Sequence, residues 1–372
     1  MPVRATKRGP ERSALSGSAD VIVCGASFAG LAVARELADS GADVLVLDRY
    51  EIGERQTSAC AAPTAWLEAL DLHETILQTF PEIVIHTPLR TLRWELPWSF
   101  ATFDYRALCE RLWSNCGAAR FETATVVGRS PGPGEQIVVH TDRGDLAAPL
   151  VVDALGWRRV LARRGRPIQP PRATLSRGLE VHPPSSREDF ELWLDPGYVR
   201  EGYAWSFPAG AEVRVGAGSF EPRDHVREPT VRLAGDLGLP AQGFQGNWIP
   251  HRMRDPVDGG VFFVGDSAGH CLPATAEGIR PAFYFGAACG RELELVLAGR
   301  QSRSQALERY AAVCEDKRYA YRGMLRAQRF VGRTNPHPLL THVLRACGRP
   351  GFVQWAFNRY RDICPPPLTP AP

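Results

Sequence analysis

Residues 21–30 read Val-Ile-Val-Cys-Gly-Ala-Ser-Phe-Ala-Gly, and the fold is decided there. Val21–Cys24 closes a short apolar run that suits a buried strand, and a glycine loop follows it. Leu31, Ala34, Leu37 and Ala38 then recur at helical spacing as far as Ser40. Gly41 stops that helix, and Ala42–Leu47 is a second strand rich in Val and Leu. The result is a β-α-β unit of about 30 residues, the setting in which a glycine loop holds a dinucleotide. Gly25 makes the tight turn. Ala26, Ser27, Phe28 and Ala29 bring free N–H groups of the helix start to a pyrophosphate, and Gly30 lets helix and strand pack closely. Ser27 stands where the fingerprint has its second glycine, so a Cβ crowds the phosphate. Asp48 ends the second strand, placed to accept from ribose hydroxyls, with Arg49 beside it. A glycine turn packing a purely structural unit is the competing interpretation.

The loop does not choose between NAD and FAD; a distant segment does. Val261–Val264 is another buried strand, and it leads into Gly265-Asp266-Ser267-Ala268-Gly269. Pro273 follows, then Glu277-Gly278-Ile279 at the start of a helix over Ile279–Leu297. The Asp266 carboxylate can accept from the ribityl hydroxyls of a flavin. The helix start at Gly278 and Ile279 can stabilise negative charge on the pyrimidine edge of the reduced ring. NAD dehydrogenases need no such second clamp, so the pair of signals indicates FAD.

On these residues the chain resembles the glutathione-reductase-type flavoproteins of the p-hydroxybenzoate hydroxylase-like group. The resemblance implies FAD at Asp266 and its neighbours. It also implies that Arg106, at the start of a Tyr105–Cys116 helix, contacts the ribityl–phosphate side. Tyr203-Ala204-Trp205-Ser206-Phe207-Pro208, followed by Gly216-Ala217-Gly218, is similar to the Y-x-W-x-F-P…G-x-G signature of the geranylgeranyl reductase family. Strand alternation puts Tyr203, Trp205 and Phe207 on one face, able to wall an apolar pocket or to pack a sheet on its own core. In that family these aromatics line a cavity for a long isoprenoid chain. Cys60, after Arg55, sits where the family has a cysteine near the flavin, as a proton donor or a small buried residue. The resemblance covers roughly residues 19–300.

Two departures bear on the reaction. Many relatives carry Asp-Gly after the Val151–Asp153 strand, linked to FAD and NAD(P)H binding; here the pair is Leu155-Gly156. No second G-x-G-x-x-G unit exists, so the electron donor is a protein such as a ferredoxin, or NAD(P)H bound transiently. The aromatic stretch also superficially resembles the W-x-W-x-I-P signature of flavin-dependent halogenases. The only lysines, Lys7 and Lys317, are poorly placed for that chemistry.

The remaining sequence sets bounds. A net charge of +3 over 372 residues is too weak a field for nucleic acid. Nine cysteines without C-x-x-C spacing or a Cys/His cluster argue against a metal site and for reduced thiols in the cytoplasm. His270 is expected near the flavin or capping its loop, and His251 is expected to be structural. No apolar stretch is long enough to span a membrane, which leaves peripheral contact open.

The expected class is α/β (α+β overall), with a Rossmann-like FAD domain of glutathione-reductase type interrupted by an antiparallel-sheet substrate domain. The FAD domain takes residues 19–72, 101–162 and 258–300, and the sheet domain takes 73–100 and 163–257. Residues 301–364 form a C-terminal helical cap. Residues 1–18 form a disordered basic tail and 365–372 a Pro-rich one. The function implied is hydride transfer from reduced flavin to a C=C bond of an apolar, isoprenoid-like or lipid-like substrate. The alternative is a monooxygenase using NAD(P)H and O2 on an aromatic or polyketide-like substrate. A halogenase or a non-catalytic flavoprotein ranks below both.

Overall fold

The computed structural model describes residues 2–5, 12–56, 58–163, 175–334 and 338–366. Val21–Cys24 is wholly buried at the centre of a seven-stranded sheet. Val44–Asp48 and then Arg120–Thr123 lie on one side of it; Leu150–Asp153 and Val261–Phe263 lie on the other, all parallel. In chain order these five strands are arranged 3-2-1-4-5, the doubly wound order whose switch point lies beside the first strand. Helix α1 (Phe28–Glu36) follows that strand and buries its small side chains against the sheet. It begins earlier and ends earlier than the spacing of Leu31–Ser40 suggests. At its end the Leu37 N–H tightens onto the Ala34 carbonyl at 3.2 Å.

The second large sheet has eight strands, in the order Gln245–Pro250, Leu175–Val181, Glu212–Ser219, Gly202–Ala209, Glu191–Trp193, Ile76–His86, Thr91–Phe103, Ala61–Pro63. It is antiparallel except where Glu191–Trp193 runs parallel to Ile76–His86. The expected hairpin around Ile83–Ile85 and Leu92–Leu96 is present and longer. Its register shifts between Phe80 and Glu82, where Pro81 has no N–H to give. Ala61–Pro63 joins this sheet although it lies in the stretch expected to belong to the nucleotide domain. A four-stranded sheet of Gly17–Ser18, Gly144–Ala148, Ile137–Thr141 and Val126–Pro131 backs the nucleotide sheet through a shared apolar cluster.

The basic N-terminal segment is not simply a tail, which corrects the expectation for residues 1–18. Val3–Ala5 pairs with Arg120–Glu122, and Gly17–Ser18 with Leu146–Ala147. Arg12 anchors the segment by meeting the Asp142 carboxylate and the Thr123 carbonyl, each at 3.0 Å. Lys7 and the end of the chain beyond residue 366 lie outside the described residues.

The other helices are α2 (Thr64–Ala69), α3 (Tyr105–Ser114), α4 (Arg227–Asp236), α5 (Ile279–Leu297), α6 (Arg303–Thr334), α7 (Pro338–Cys347) and α8 (Pro350–Ile363). The Asp104 carboxylate caps α3 by accepting the Ala107 N–H at 2.8 Å. Arg280 of α5 is fully buried and donates to the carbonyls of Tyr360, Arg361 and Cys364 at the end of α8. Trp66 donates to the same Cys364 carbonyl at 3.1 Å. The C-terminal helices are thereby fastened to the nucleotide domain.

Helix α5 crosses α1 at very short range, through glycines spaced four apart. A Cβ on Gly286 would lie 2.7 Å from the Ala29 carbonyl oxygen and 2.8 Å from Ala32 Cβ. One on Gly290 would lie 2.6 Å from Glu36 Cβ and 2.9 Å from the Val33 carbonyl oxygen. Both substitutions push on α1 itself, Gly286→Ala on the Ala29 carbonyl and Gly290→Ala on the Val33 carbonyl and on Glu36 Cβ, which is fixed to the backbone. Each is therefore expected to destabilise the protein by about 1–3 kcal/mol, as overpacking does. Thermal denaturation of the two variants checks this.

Candidate active site

Gly25 sits at the switch point with φ 114°, and a Cβ there would lie 2.3 Å from the Ala154 carbonyl oxygen. Gly30 is equally constrained, since its Cβ would meet the Gly25 carbonyl at 1.8 Å. These two glycines shape the loop from behind, while Ala26, Ser27, Phe28 and Ala29 line a large cavity in front of it. No side chain caps α1, because the Ser27 hydroxyl is engaged with Tyr105 Oη at 3.2 Å. The first N–H groups of α1 are left for an anion. Asp48 and Arg49 line the same end. Asp48 also holds the loop itself, accepting the Ala26 N–H at 2.8 Å and the Tyr50 N–H at 3.0 Å. Burial raises its pKa, against the pull of those N–H groups.

Arg106 is not brought to the site. Its side chain is 64% exposed and pairs with Glu110 at 3.3 Å. Helical spacing turns Tyr105, Leu108, Cys109 and Leu112 inward and leaves Arg106 outside. Tyr105 is the residue of α3 that reaches the cavity.

The second clamp arrives from the other side of the switch point. Asp266 opens the turn after Val261–Phe263 and lines the cavity. Burial pushes its pKa up to about 6 in spite of the Arg254 charge nearby. Its carboxylate accepts no hydrogen bond from a described residue, so a hydroxyl-bearing ligand would fill an unmet need. His270 caps the turn from behind, accepting the Gly265 N–H on Nδ1 at 3.2 Å and stacking on Phe285 at 3.8 Å. Burial lowers its pKa to about 3, so it stays neutral. His251 is buried too, its Nδ1 2.6 Å from the Ser176 hydroxyl.

Pro273 stands back from the cavity, and Ala274, Thr275, Ala276, Glu277, Gly278 and Ile279 line it. Ala274 and Ala276 have φ of 66° and 53°, a left-handed backbone that costs a non-glycine residue energy. Three elements hold them in place. Gln328 of α6 accepts the Ala274 N–H at 2.8 Å, and Tyr203 of the large sheet donates to the Thr275 carbonyl at 2.5 Å. Tyr360 of α8 bonds the Thr275 hydroxyl at 3.0 Å and the Glu277 carboxylate. Gly278 starts α5 with no side-chain cap, so a second set of helix N–H groups is free at the cavity.

Beyond this loop the cavity, about 820 Å³ in all, becomes apolar. Tyr203, Trp205 and Phe207 all face it, as their alternation predicts, together with Ile85, Phe100 and Phe190. Phe207 stacks on Phe190 with centroids 3.9 Å apart. Leu344 of α7 and Phe357 of α8 add to the wall. The paired glycines of the sequence signature form the seat of Trp205. A Cβ on Gly216 would lie 2.3 Å from the indole ring, and one on Gly218 3.4 Å.

Trp205 Nε1 donates to a buried carboxylate that no sequence motif singles out, Glu180 Oε2 at 3.2 Å. Glu180 Oε1 lies 3.0 Å from His182 Nε2, and His182 Nδ1 lies 3.5 Å from the half-exposed Glu212. This line of groups leads from the cavity to solvent. Cys60 also lines the cavity, with φ 50° and its thiol donating to the Ser58 carbonyl at 3.2 Å. Burial raises the thiol pKa far above its usual value. Arg214, fully buried, fixes this turn by donating to the carbonyls of Ala59, Cys60 and Phe103. Leu155 and Gly156 reach the cavity too. Lys317 is not on it, lying 3.1 Å from Asp316 and over the Tyr284 ring. No group of side chains suited to a metal occurs among the described residues.

A doubly wound sheet with two facing helix starts and a carboxylate between them defines an FAD-dependent oxidoreductase, and residues 20–72 match the DAO family, FAD dependent oxidoreductase. The chain is 27% identical over 305 residues to the menaquinone reductase of Mycobacterium tuberculosis, covering 70% of this chain and 73% of that one. It is 29% identical over 132 residues, 32% of this chain, to the digeranylgeranylglycerophospholipid reductase of Methanococcus vannielii, and the match spans 33% of that relative's length. A geranylgeranyl bacteriochlorophyll reductase-like protein of Thermoplasma acidophilum shares the fold with a TM-score of 0.75 at 18% identity, covering 85% of this chain and 88% of that one. The fold is also that of a flavin-dependent brominase and of PqsL from Pseudomonas aeruginosa, each with a TM-score of 0.65.

Asp266 has a consequence for stability that runs opposite to its use. Its folded pKa lies above the ordinary 3.8, so the apoprotein is favoured below pH 4 and loses that advantage as pH rises through about 6. Asp266→Asn is expected to stabilise the apoprotein at pH 7 by up to about 3 kcal/mol, with no gain below pH 4, while weakening FAD binding. Urea denaturation of the apoproteins across pH, with FAD titration, measures both.

Proposed function

We propose that the protein reduces a C=C bond of an apolar, isoprenoid-like substrate. One observation carries this: the space at Asp266 and Gly278, which would take the flavin, continues without a break into a pocket walled by Trp205, Phe207 and Phe190. Such a wall suits a long hydrocarbon. The names of the relatives, a menaquinone reductase and two geranylgeranyl-type reductases, support the same class of substrate. When bound, reduced FAD supplies the hydride.

The phosphates would lie on the N–H groups of Ala26–Ala29, and the ribityl hydroxyls on Asp266. The N–H groups of Gly278 and Ile279 would face the charged edge of the ring. Trp205 and Phe207 shape the pocket, and Tyr203 holds the loop at Thr275. The second hydrogen must arrive as a proton, and Glu180 is better suited than Cys60 to deliver it. The Cys60 thiol is too weak an acid in its buried turn, whereas Glu180 can be reloaded through His182 and Glu212 from solvent. Hydride to one carbon and the Glu180 proton to the other balance the reduction. The carboxylate at Glu180 then recovers its proton through His182. Leu155 in place of a carboxylate favours an electron-carrier protein, such as a ferredoxin, over tightly bound NAD(P)H.

Anaerobic mixing of the reduced holoprotein with geranylgeranyl diphosphate should restore the oxidised flavin spectrum and yield a product two hydrogens heavier. If only oxygen restores the spectrum, across isoprenoid diphosphates and quinones, the proposal fails and oxygenation takes its place. Glu180→Gln is expected to cut turnover by about 100-fold or more with FAD still bound, and Cys60→Ala to keep most of it. Reduction trials with NADH, NADPH and a ferredoxin system identify the donor.

A further inference from the structure

Helix α8 has two apolar faces, and only one of them is used inside the protein. Val353, Ala356, Phe357 and Tyr360 turn inward, and the last three line the cavity. Phe352 and Trp355 turn outward, 44% and 58% exposed, with their rings 5.6 Å apart. On α7 the same division recurs, with Leu344 on the cavity and Leu339 55% exposed. A single aromatic pair on a surface needs no explanation. This one is accompanied by charge of one sign. Arg345 of α7, Arg349 between the two helices and Arg359 of α8 are exposed, and none forms an ion pair with a described residue. The acidic group in this stretch, Asp362, has Arg361 at 3.9 Å.

We propose that this face of α7 and α8 is a docking surface for an anionic phospholipid bilayer. Trp355, Phe352 and Leu339 would enter the headgroup–acyl boundary, where an aromatic pair with a polar edge is favoured, and Arg345, Arg349 and Arg359 would meet lipid phosphates. No helix among the described residues is long and apolar enough to cross a membrane, so the attachment is to one leaflet. The inference deepens the proposed function by saying where the substrate is collected. Only about 10 Å, the thickness of one helix, separates the bilayer-facing Trp355 from the cavity-facing Phe357. An isoprenoid dissolved in the leaflet would reach the pocket without its chain crossing water.

The test uses FAD-loaded full-length protein and flotation with two kinds of vesicle, pure phosphatidylcholine and phosphatidylcholine mixed with phosphatidylglycerol. No turnover is measured, so the outcome is independent of the reaction assigned above. The protein is expected to float with the anionic vesicles, less so as salt rises. Each Arg→Gln change at 345, 349 or 359 should weaken binding about fivefold, and Trp355→Ser with Phe352→Ser should abolish it. All of these surface variants should keep the flavin spectrum, which shows that they are folded. Absence of flotation, or flotation unaffected by these changes, overturns the proposal. So does a dimer in vesicle-free solution that Trp355→Ser dissociates, since the face would then belong to a second copy of the chain.

Discussion

The close crossing of α1 and α5 is the constraint on which everything else rests. The helix that opens on the cavity after Gly25 and the helix that opens on it at Gly278 are far apart in the chain, α1 at Phe28–Glu36 and α5 at Ile279–Leu297. Their starts nevertheless line one cavity. Gly286 and Gly290 let α5 lie directly on the backbone of Ala29 and Val33, with no side chain between. The two helix starts are therefore set by a backbone-to-backbone contact, which has far less room to slip than a contact between long side chains. Phe28 and Phe283 continue the same interface near the cavity, their rings 5.7 Å apart and nearly perpendicular. Dinucleotide affinity and the stability of the nucleotide domain are for this reason coupled.

From that fixed crossing, strain is distributed in a consistent way. Among the described residues, five non-glycine residues have left-handed backbone, and Cys60, Ala274 and Ala276 are the three that line the cavity. Each strained turn is held by a buried group from a distant element. Arg214 holds Cys60, Gln328 and Tyr203 hold the Ala274–Ala276 loop, and Arg280 ties the same loop to α8 through Glu277. The loop at the flavin edge is thus braced by the large sheet, by α6 and by the C-terminal helix together. A C-terminal helix that contributes both cavity wall and loop brace is part of the catalytic body and more than a lid over it.

Much of this was legible in the sequence because its signals are local. A glycine loop between a strand and a helix, an acidic turn after a second strand, and aromatics alternating along a third each declare themselves within about ten residues. Arg106 shows the limit of local signals. Its position matched a family arginine, but the inward stripe of α3 belongs to Tyr105, Leu108 and Cys109. The tail showed it again: residues 1–18 read as disordered because their strand partners, Arg120–Glu122 and Leu146–Ala147, are over a hundred residues away. Glu180 was invisible for a similar reason, since Trp205 and Gln245 reach it from two other strands. The spacing of Gly286 and Gly290 was available as a helix-contact signal, though nothing in the sequence named α1 as the partner.

The position of Glu180 also bears on how one fold serves both reduction and oxygenation. The nucleotide clamps are common to both kinds of flavoprotein, so they cannot distinguish them. What a reductase of unactivated double bonds needs in addition is a proton source on the substrate side and a pocket from which water is excluded. Here the indole of Trp205 is pressed onto Gly216 and Gly218 and tied to Glu180. One side chain thereby closes the apolar wall and orients the acid. Replacing either glycine by a larger residue would displace the indole, and with it the hydrogen bond that aims the carboxyl. The G-x-G of the signature then has a mechanical meaning: it is the recess that seats the Trp205 indole in a hydrophobic wall while that indole stays tied to the buried Glu180 carboxylate.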